Sequence, residues 1–203
     1  MALIKLNDRA VKDATTFGSI SSLGEMKFIS KATASASASI EFSLGDYKEY
    51  QFYFVNMHPA TDQVGFQFNM STDSGSNYNV TKTSTLFIGY QNELGTASGL
   101  IYNADNDLAQ STSDHNIVGA GSDLGNANDD SCSGEVFLFN PSSTTFVKHF
   151  ITKANSSSGE GLPFTNYTAG YGNTTSAITG VKFVMSSGNI DAGTIKLYGI
   201  KDS

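Results

Sequence analysis

The residues from Val64 to Ser71 alternate without a break. Val64, Phe66, Phe68 and Met70 take one side, while Gly65, Gln67, Asn69 and Ser71 take the other. A strand turns successive side chains to opposite faces, so this pattern predicts an apolar face on a core and a polar face outside. The period of two begins at Met26 and persists to the end of the chain. Further strands are expected at Glu49 to Asn56, Asn77 to Tyr90, Glu135 to Phe139, Thr145 to Thr152, Phe164 to Tyr171, Ala177 to Met185 and Thr194 to Ile200. Asp73-Ser74-Gly75 and Pro141-Ser142-Ser143 supply turn chemistry between them. Both faces of Val136 to Phe139 are apolar, which predicts a central strand or one buried at an oligomer contact.

Many short strands set apart by turns predict an all-β fold, an antiparallel β-sandwich or jelly roll of about ten strands. A chain of 203 residues fits one such domain. Its 14 Phe and 9 Tyr suit pleated, half-buried surfaces. Residues 1–24 lack the alternation and form a short N-terminal arm, so the sandwich domain runs over 25–203. Within the arm, Leu3, Ile4, Leu6, Ala10, Val11 and Ala14 would line one side of a short helix, with Lys5, Arg9 and Lys12 beside them. The polar stretch from Asn92 to Ser133 interrupts the rhythm. Leu100-Ile101-Tyr102 and Ile117-Val118 are expected as short strands within it, and the rest as long loops at one end of the sandwich. Asn155 to Gly161 is expected as another loop.

A net charge of −7 weighs against nucleic acid, which demands clustered Lys and Arg. No run approaches a membrane span. Cys132 is alone, so neither an intrachain disulfide nor a cysteine metal site is expected. The first residues lack the apolar core of a signal peptide, and synthesis in a reducing cytoplasm is the expectation.

Catalytic signatures are missing: there is no G-x-S-x-G elbow, H-E-x-x-H pair or P-loop. His58, His115 and His149 stand in unrelated contexts, and His149 is expected to be packed or at an interface. Asp105-Asn106-Asp107 and Asp129-Asp130 offer the hard oxygens calcium takes, without the order of a calcium loop. The expectation is therefore no enzyme, no metal and no cofactor. Tyr90, Tyr102, Tyr167 and Tyr171, with Asp105 and Asp107, are candidate surface-recognition residues, since exposed aromatics stack on sugars.

Several runs carry a resemblance. Tyr47 to Phe54 (YKEYQFYF), Pro59 to Asp62 (PATD), Ser71 to Tyr78 (STDSGSNY), Phe139 to Phe150 (FNPSSTTFVKHF), Ala169 to Ile178 (AGYGNTTSAI) and Ser186 to Ile200 (SSGNIDAGTIKLYGI) resemble a domain of virion proteins from marine tailed phages. The opening Met1 to Asn7 (MALIKLN) is similar to the start of short tail-fibre-like proteins from phages of cyanobacteria and related bacteria. The resemblance spans nearly the whole chain and supplies no catalytic residues. It implies a virion structural protein assembled in the bacterial cytoplasm. Its partners would be copies of itself, a trimer being favoured, other tail or capsid proteins through Leu3, Ile4, Lys5, Leu6, Arg9, Val11 and Lys12, and a host surface glycan. A tail fibre or appendage, a capsid decoration protein and a glycan-binding or depolymerising module stand as the readings.

Overall fold

The computed structural model describes residues 26–119, 121–158 and 161–200. The arm residues singled out above lie outside them. The described residues hold twelve strands and no helix. In chain order these are β1 (Met26–Thr33), β2 (Ile40–Ser43), β3 (Glu49–Pro59), β4 (Phe66–Ser71), β5 (Lys82–Gln91), β6 (Ser98–Tyr102), β7 (His115–Val118), β8 (Cys132–Phe139), β9 (Lys148–Ser158), β10 (Leu162–Gly172), β11 (Gly180–Met185) and β12 (Ile190–Ile200).

The strands form two sheets, and all their pairings are antiparallel. One has eight strands in the order β1-β12-β3-β8-β9-β10-β5-β6, the other four in the order β2-β11-β4-β7. Two hairpins, β5–β6 and β9–β10, belong wholly to the larger sheet. The other eight strands switch sheet at each step along the chain except one, since β4 and β7 lie side by side in the smaller sheet.

Alternation explains the core. In β3, Tyr50, Phe52 and Phe54 turn inward, and in β4, Phe66, Phe68 and Met70 meet them from the other sheet; each is buried to within 1%. Phe183 of β11 stacks on Phe66 at 5.8 Å and meets Phe52 edge-on at 5.3 Å. Phe68 meets Phe150 of β9 edge-on at 5.1 Å. Edge contacts match the positive rim of one ring to the negative face of the next. Such rings need thin places in the backbone opposite them. A Cβ on Gly134 would fall 2.7 Å from Phe54, and one on Gly170 would fall 2.7 Å from Phe150.

The core has two apolar clusters. Most of it lies between the sheets, while Leu86, Ile88 and Phe164 form a smaller group under β5 and β10. Between them the inner face of the large sheet is polar yet buried: Thr152, Ser156, Asn166, Thr168 and Ser84. Here the cover is β7 and the flanking loops rather than a full second sheet. Loops bring peptide groups that must be satisfied where water is excluded. Leu108 N–H donates to Ser84 Oγ at 3.0 Å, and Ser122 Oγ donates to Asn166 Oδ1 at 2.7 Å. The segment after β6 therefore covers the sheet, and is more than the end loop its composition suggested.

Other boundaries also moved. The strand expected from Asn77 starts at Lys82, and the loop expected at Asn155 is strand as far as Ser158. The polar residues Asn155 to Ser158 are held extended because they pair with β10, from Thr165 to Leu162. Val136 to Phe139 lies in the central β8, with β3 and β9 on either side. Truncating Phe68 to Ala should destabilise the domain by about 3–5 kcal/mol, because the cavity opens where two sheets meet. Urea denaturation measures it, and an unchanged midpoint would refute this packing.

Candidate interaction surface

The outer face of the large sheet is built by the residues that alternate with the core. Register aligns Tyr53, Glu135, Lys153, Tyr167, Phe87 and Tyr102 in one row across six strands. A neighbouring row runs Phe28, Tyr198, Gln51, Phe137, Ile151 and Ala169. Rows of large apolar side chains are what a solvent-facing sheet normally avoids. Phe28 is 50% exposed, Tyr102 46%, and Phe87 and Tyr167 42% each. Rings support one another along the face, with Phe28 on Tyr198 at 5.5 Å, Phe87 on Tyr102 at 5.3 Å and Phe137 parallel to Phe139 at 6.3 Å. Charge is sparse near its centre, where Lys153 pairs with Glu135 at 3.3 Å and lies 5.9 Å over the Phe137 ring. A shallow concavity of about 470 Å³ opens between Phe139, His149, Ile151, Ala169 and Tyr171.

The sequence-derived recognition residues divide between the faces. Tyr102 and Tyr167 flank Phe87 on the outer face, and the Tyr102 hydroxyl donates to the Asp107 carboxylate. That hydrogen bond holds the phenol protonated, raising its pKa. Tyr171 lies on the same face beside His149, ring centres 6.2 Å apart. Tyr90 turns the other way. It pairs with Phe164 in the inner register and joins the smaller apolar cluster, so it is no part of this surface. Asp105 is exposed in the loop, with its own N–H on Asn103 Oδ1 at 3.2 Å. His149 is exposed on the aromatic face instead of packed.

Among the described residues, no three His, Cys, Asp or Glu side chains come together to hold a metal ion. Glu93, Asp129 and Asp130 do line one cleft of about 360 Å³ with Ser157 and Ser158. No helix among them is long and apolar enough to cross a membrane. Cys132 is fully buried, and burial pushes its thiol pKa up, which disfavours the thiolate. His58 lies 3.6 Å from Asp191 and 3.1 Å from the Ala127 carbonyl.

His115 is the side chain closest to a catalytic arrangement, with Ser84 Oγ 3.4 Å from Nδ1 and Thr168 Oγ1 3.2 Å from Nε2. Thr168 continues to Thr152 at 2.6 Å. The group is wholly buried, and hydroxyls occupy both ring nitrogens where a triad would place a carboxylate on one. No family model, curated protein or solved structure matches this chain. The class defined by the fold and this surface is an all-β sandwich with an aromatic outer face.

Burial, then the nearby Lys82 charge, lowers the His115 pKa from 6.5 to about 3. A depressed folded pKa gives stability that is full above pH 6.5 and is lost as pH falls toward 3. The loss should reach about 2 kcal/mol by pH 5 and should shrink in His115→Gln. Denaturant midpoints at pH 7 and 5 read it out; equal pH dependence in both proteins would exclude a buried neutral imidazole.

Proposed function

We propose that this chain is a non-enzymatic structural protein of a tailed-phage virion, displayed as a tail-fibre or tail-appendage component. Three copies associate through the outer face of the large sheet. The observation that carries the reading is that face. It presents aligned rows rich in aromatic and aliphatic side chains, with the Lys153–Glu135 pair near the centre and Lys196 and Lys31 at the β1 edge, and such surfaces are commonly buried against a partner. In a three-fold ring each contact joins two different parts of the subunit surface, and one broad face turned to the axis supplies both.

The strand order supports the same reading. Without the β5–β6 and β9–β10 hairpins, the sheets are β1-β12-β3-β8 and β2-β11-β4-β7, and successive strands change sheet at every step but β4 to β7. That is the winding of an eight-stranded jelly roll, an architecture of viral capsid and lectin domains. The resemblance of the strand and turn segments to marine phage proteins points the same way. On this reading residues 1–24 dock the protein on the particle. The Tyr102–Phe87–Tyr167 cluster with Asp107, at the far hairpin edge, contacts a host surface glycan. Capsid decoration of the head is the alternative placement.

The purified chain should sediment as a trimer, and Phe137→Lys with Phe139→Lys should give a folded monomer with an unchanged circular dichroism spectrum. A wild-type monomer would exclude this self-association. Deleting residues 1–24 should leave the body folded and remove it from purified virions. Immunogold on intact particles separates a few tail positions from many head positions. Absence of the protein from purified particles overturns the virion role.

A further inference from the structure

Lys82 begins β5 in phase with Ser84, Leu86 and Ile88, so its side chain enters the interior, where it is fully buried. Its Nζ donates to two neutral oxygens, Asn69 Oδ1 at 2.6 Å and the Val80 carbonyl at 2.7 Å. Asn69 belongs to β4 in the other sheet and is 1% exposed. Every polar atom of its amide is held: Oδ1 also accepts the Met70 N–H at 2.9 Å, while Nδ2 donates to Asp114 Oδ1 at 2.8 Å and the Thr112 carbonyl at 3.1 Å. An amine, a carboxamide, a carboxylate on the leaving nitrogen and a donor on the carbonyl oxygen are the parts of an acyl transfer.

We propose that Lys82 and Asn69 join in an intramolecular isopeptide bond across the two sheets, with Asp114 carrying the proton. The C=O bond is about 1.23 Å long, so the amide carbon stands at most about 3.8 Å from Nζ, close to the separation of a near-attack arrangement. Neutral Nζ adds to Asn69 Cγ and the carbonyl electron pair moves to Oδ1, where the Met70 N–H receives the developing charge. Once Nζ stands on Cγ beside Nδ2, the Asp114 carboxylate already on Nδ2 takes up the proton that Nζ releases and hands it to Nδ2. The Cγ–Nδ2 bond then breaks, the carbonyl re-forms and ammonia departs. One amine and one primary amide become one secondary amide and ammonia, and no oxidant or cofactor is consumed.

The surroundings shift the amine toward its neutral form. Desolvation lowers the Lys82 pKa from 10.5 to about 8, with Asp114 opposing and Lys182 of β11 assisting. About a tenth is therefore neutral at pH 7. The other ionisable groups packed nearby are His115 of β7, which burial and Lys82 itself keep neutral, and Lys148 of β9, which lies across Gly172. Lys148 Nζ is committed to the Phe146 and Thr174 carbonyls at 2.6 and 3.3 Å. Asp114 keeps 29% of its side chain exposed and lies 3.7 Å from Lys182 Nζ, leaving ammonia a path to water. Bond formation also abolishes a buried cation, whose desolvation the two carbonyls offset only in part.

The test is the intact mass of the folded full-length chain, and it is independent of any virion role. The mass should fall short of the sequence mass by one ammonia. Trypsin, which cuts after free lysine, should then leave residues 49–148 uncut at Lys82, and a cut before Asp73 should leave the two pieces joined. Lys82→Met should keep its full sequence mass. Because that variant alters a core position, Asp114→Ala at a partly exposed one is the companion, and it too should keep its full mass after purification. Folded wild type at full sequence mass overturns the proposal, as does an ammonia loss that maps to any other asparagine.

Discussion

Eight strands cannot be covered by four, and much of this molecule follows from that inequality. The four-stranded sheet presents Phe66, Phe68 and Phe183 to the middle of its partner and builds a dry aromatic core there. Beyond β9 the larger sheet needs another cover, which β7 and the long segment around it provide. Loop cover brings unpaired peptide groups, and the inner faces of β5, β9 and β10 answer with Ser84, Thr152, Ser156, Asn166 and Thr168. Burying these polar groups is tolerable only because each finds a partner.

The same inequality links the buried amine to the fold. Lys82 lies where the large sheet begins to outrun the small one, and its four-carbon stem spans the gap that apolar side chains fill elsewhere. Asn69 is on the solvent side of the β4 alternation, and the covering segment with Thr112 and Asp114 makes it interior. A proton-transfer group thereby arrives at an amide that binary patterning alone would leave in water. On its other side the wide sheet keeps a broad aromatic surface, so one structural decision yields both the polar interior and the apolar exterior.

How much of this was legible follows from which contacts were local. Strands with strict alternation, such as Val64 to Ser71, and turns with Gly or Pro declared themselves, because one face met the main core. Short β2 and the bulged β1 give too little regular alternation to stand out, and Asn155 to Ser158 reads as a loop because its composition is polar. Only pairing with β10 holds that segment extended. Tyr102 and Tyr167 fell on the exposed face, while Tyr90 fell on the inner one, which parity relative to Leu86 and Ile88 would have told. The same parity places Lys82 inside. Its partners Asn69 and Asp114 are joined only in three dimensions, and no spacing marks them.

The pairing of the two inserted hairpins has a kinetic side. Apart from β6 and a short bridge from Lys82 to Ser111, β5 pairs with β10 among the described residues, so Phe87 waits for Tyr167, which the ribosome makes much later. Until then the Leu86–Ile88 face and the exposed Leu100–Tyr102 strand have no sheet to join. Long-range antiparallel pairing of this kind folds slowly and leaves strand edges open to other chains. Crowded synthesis of many copies would therefore place β6 at risk of pairing with its neighbours before the domain closes.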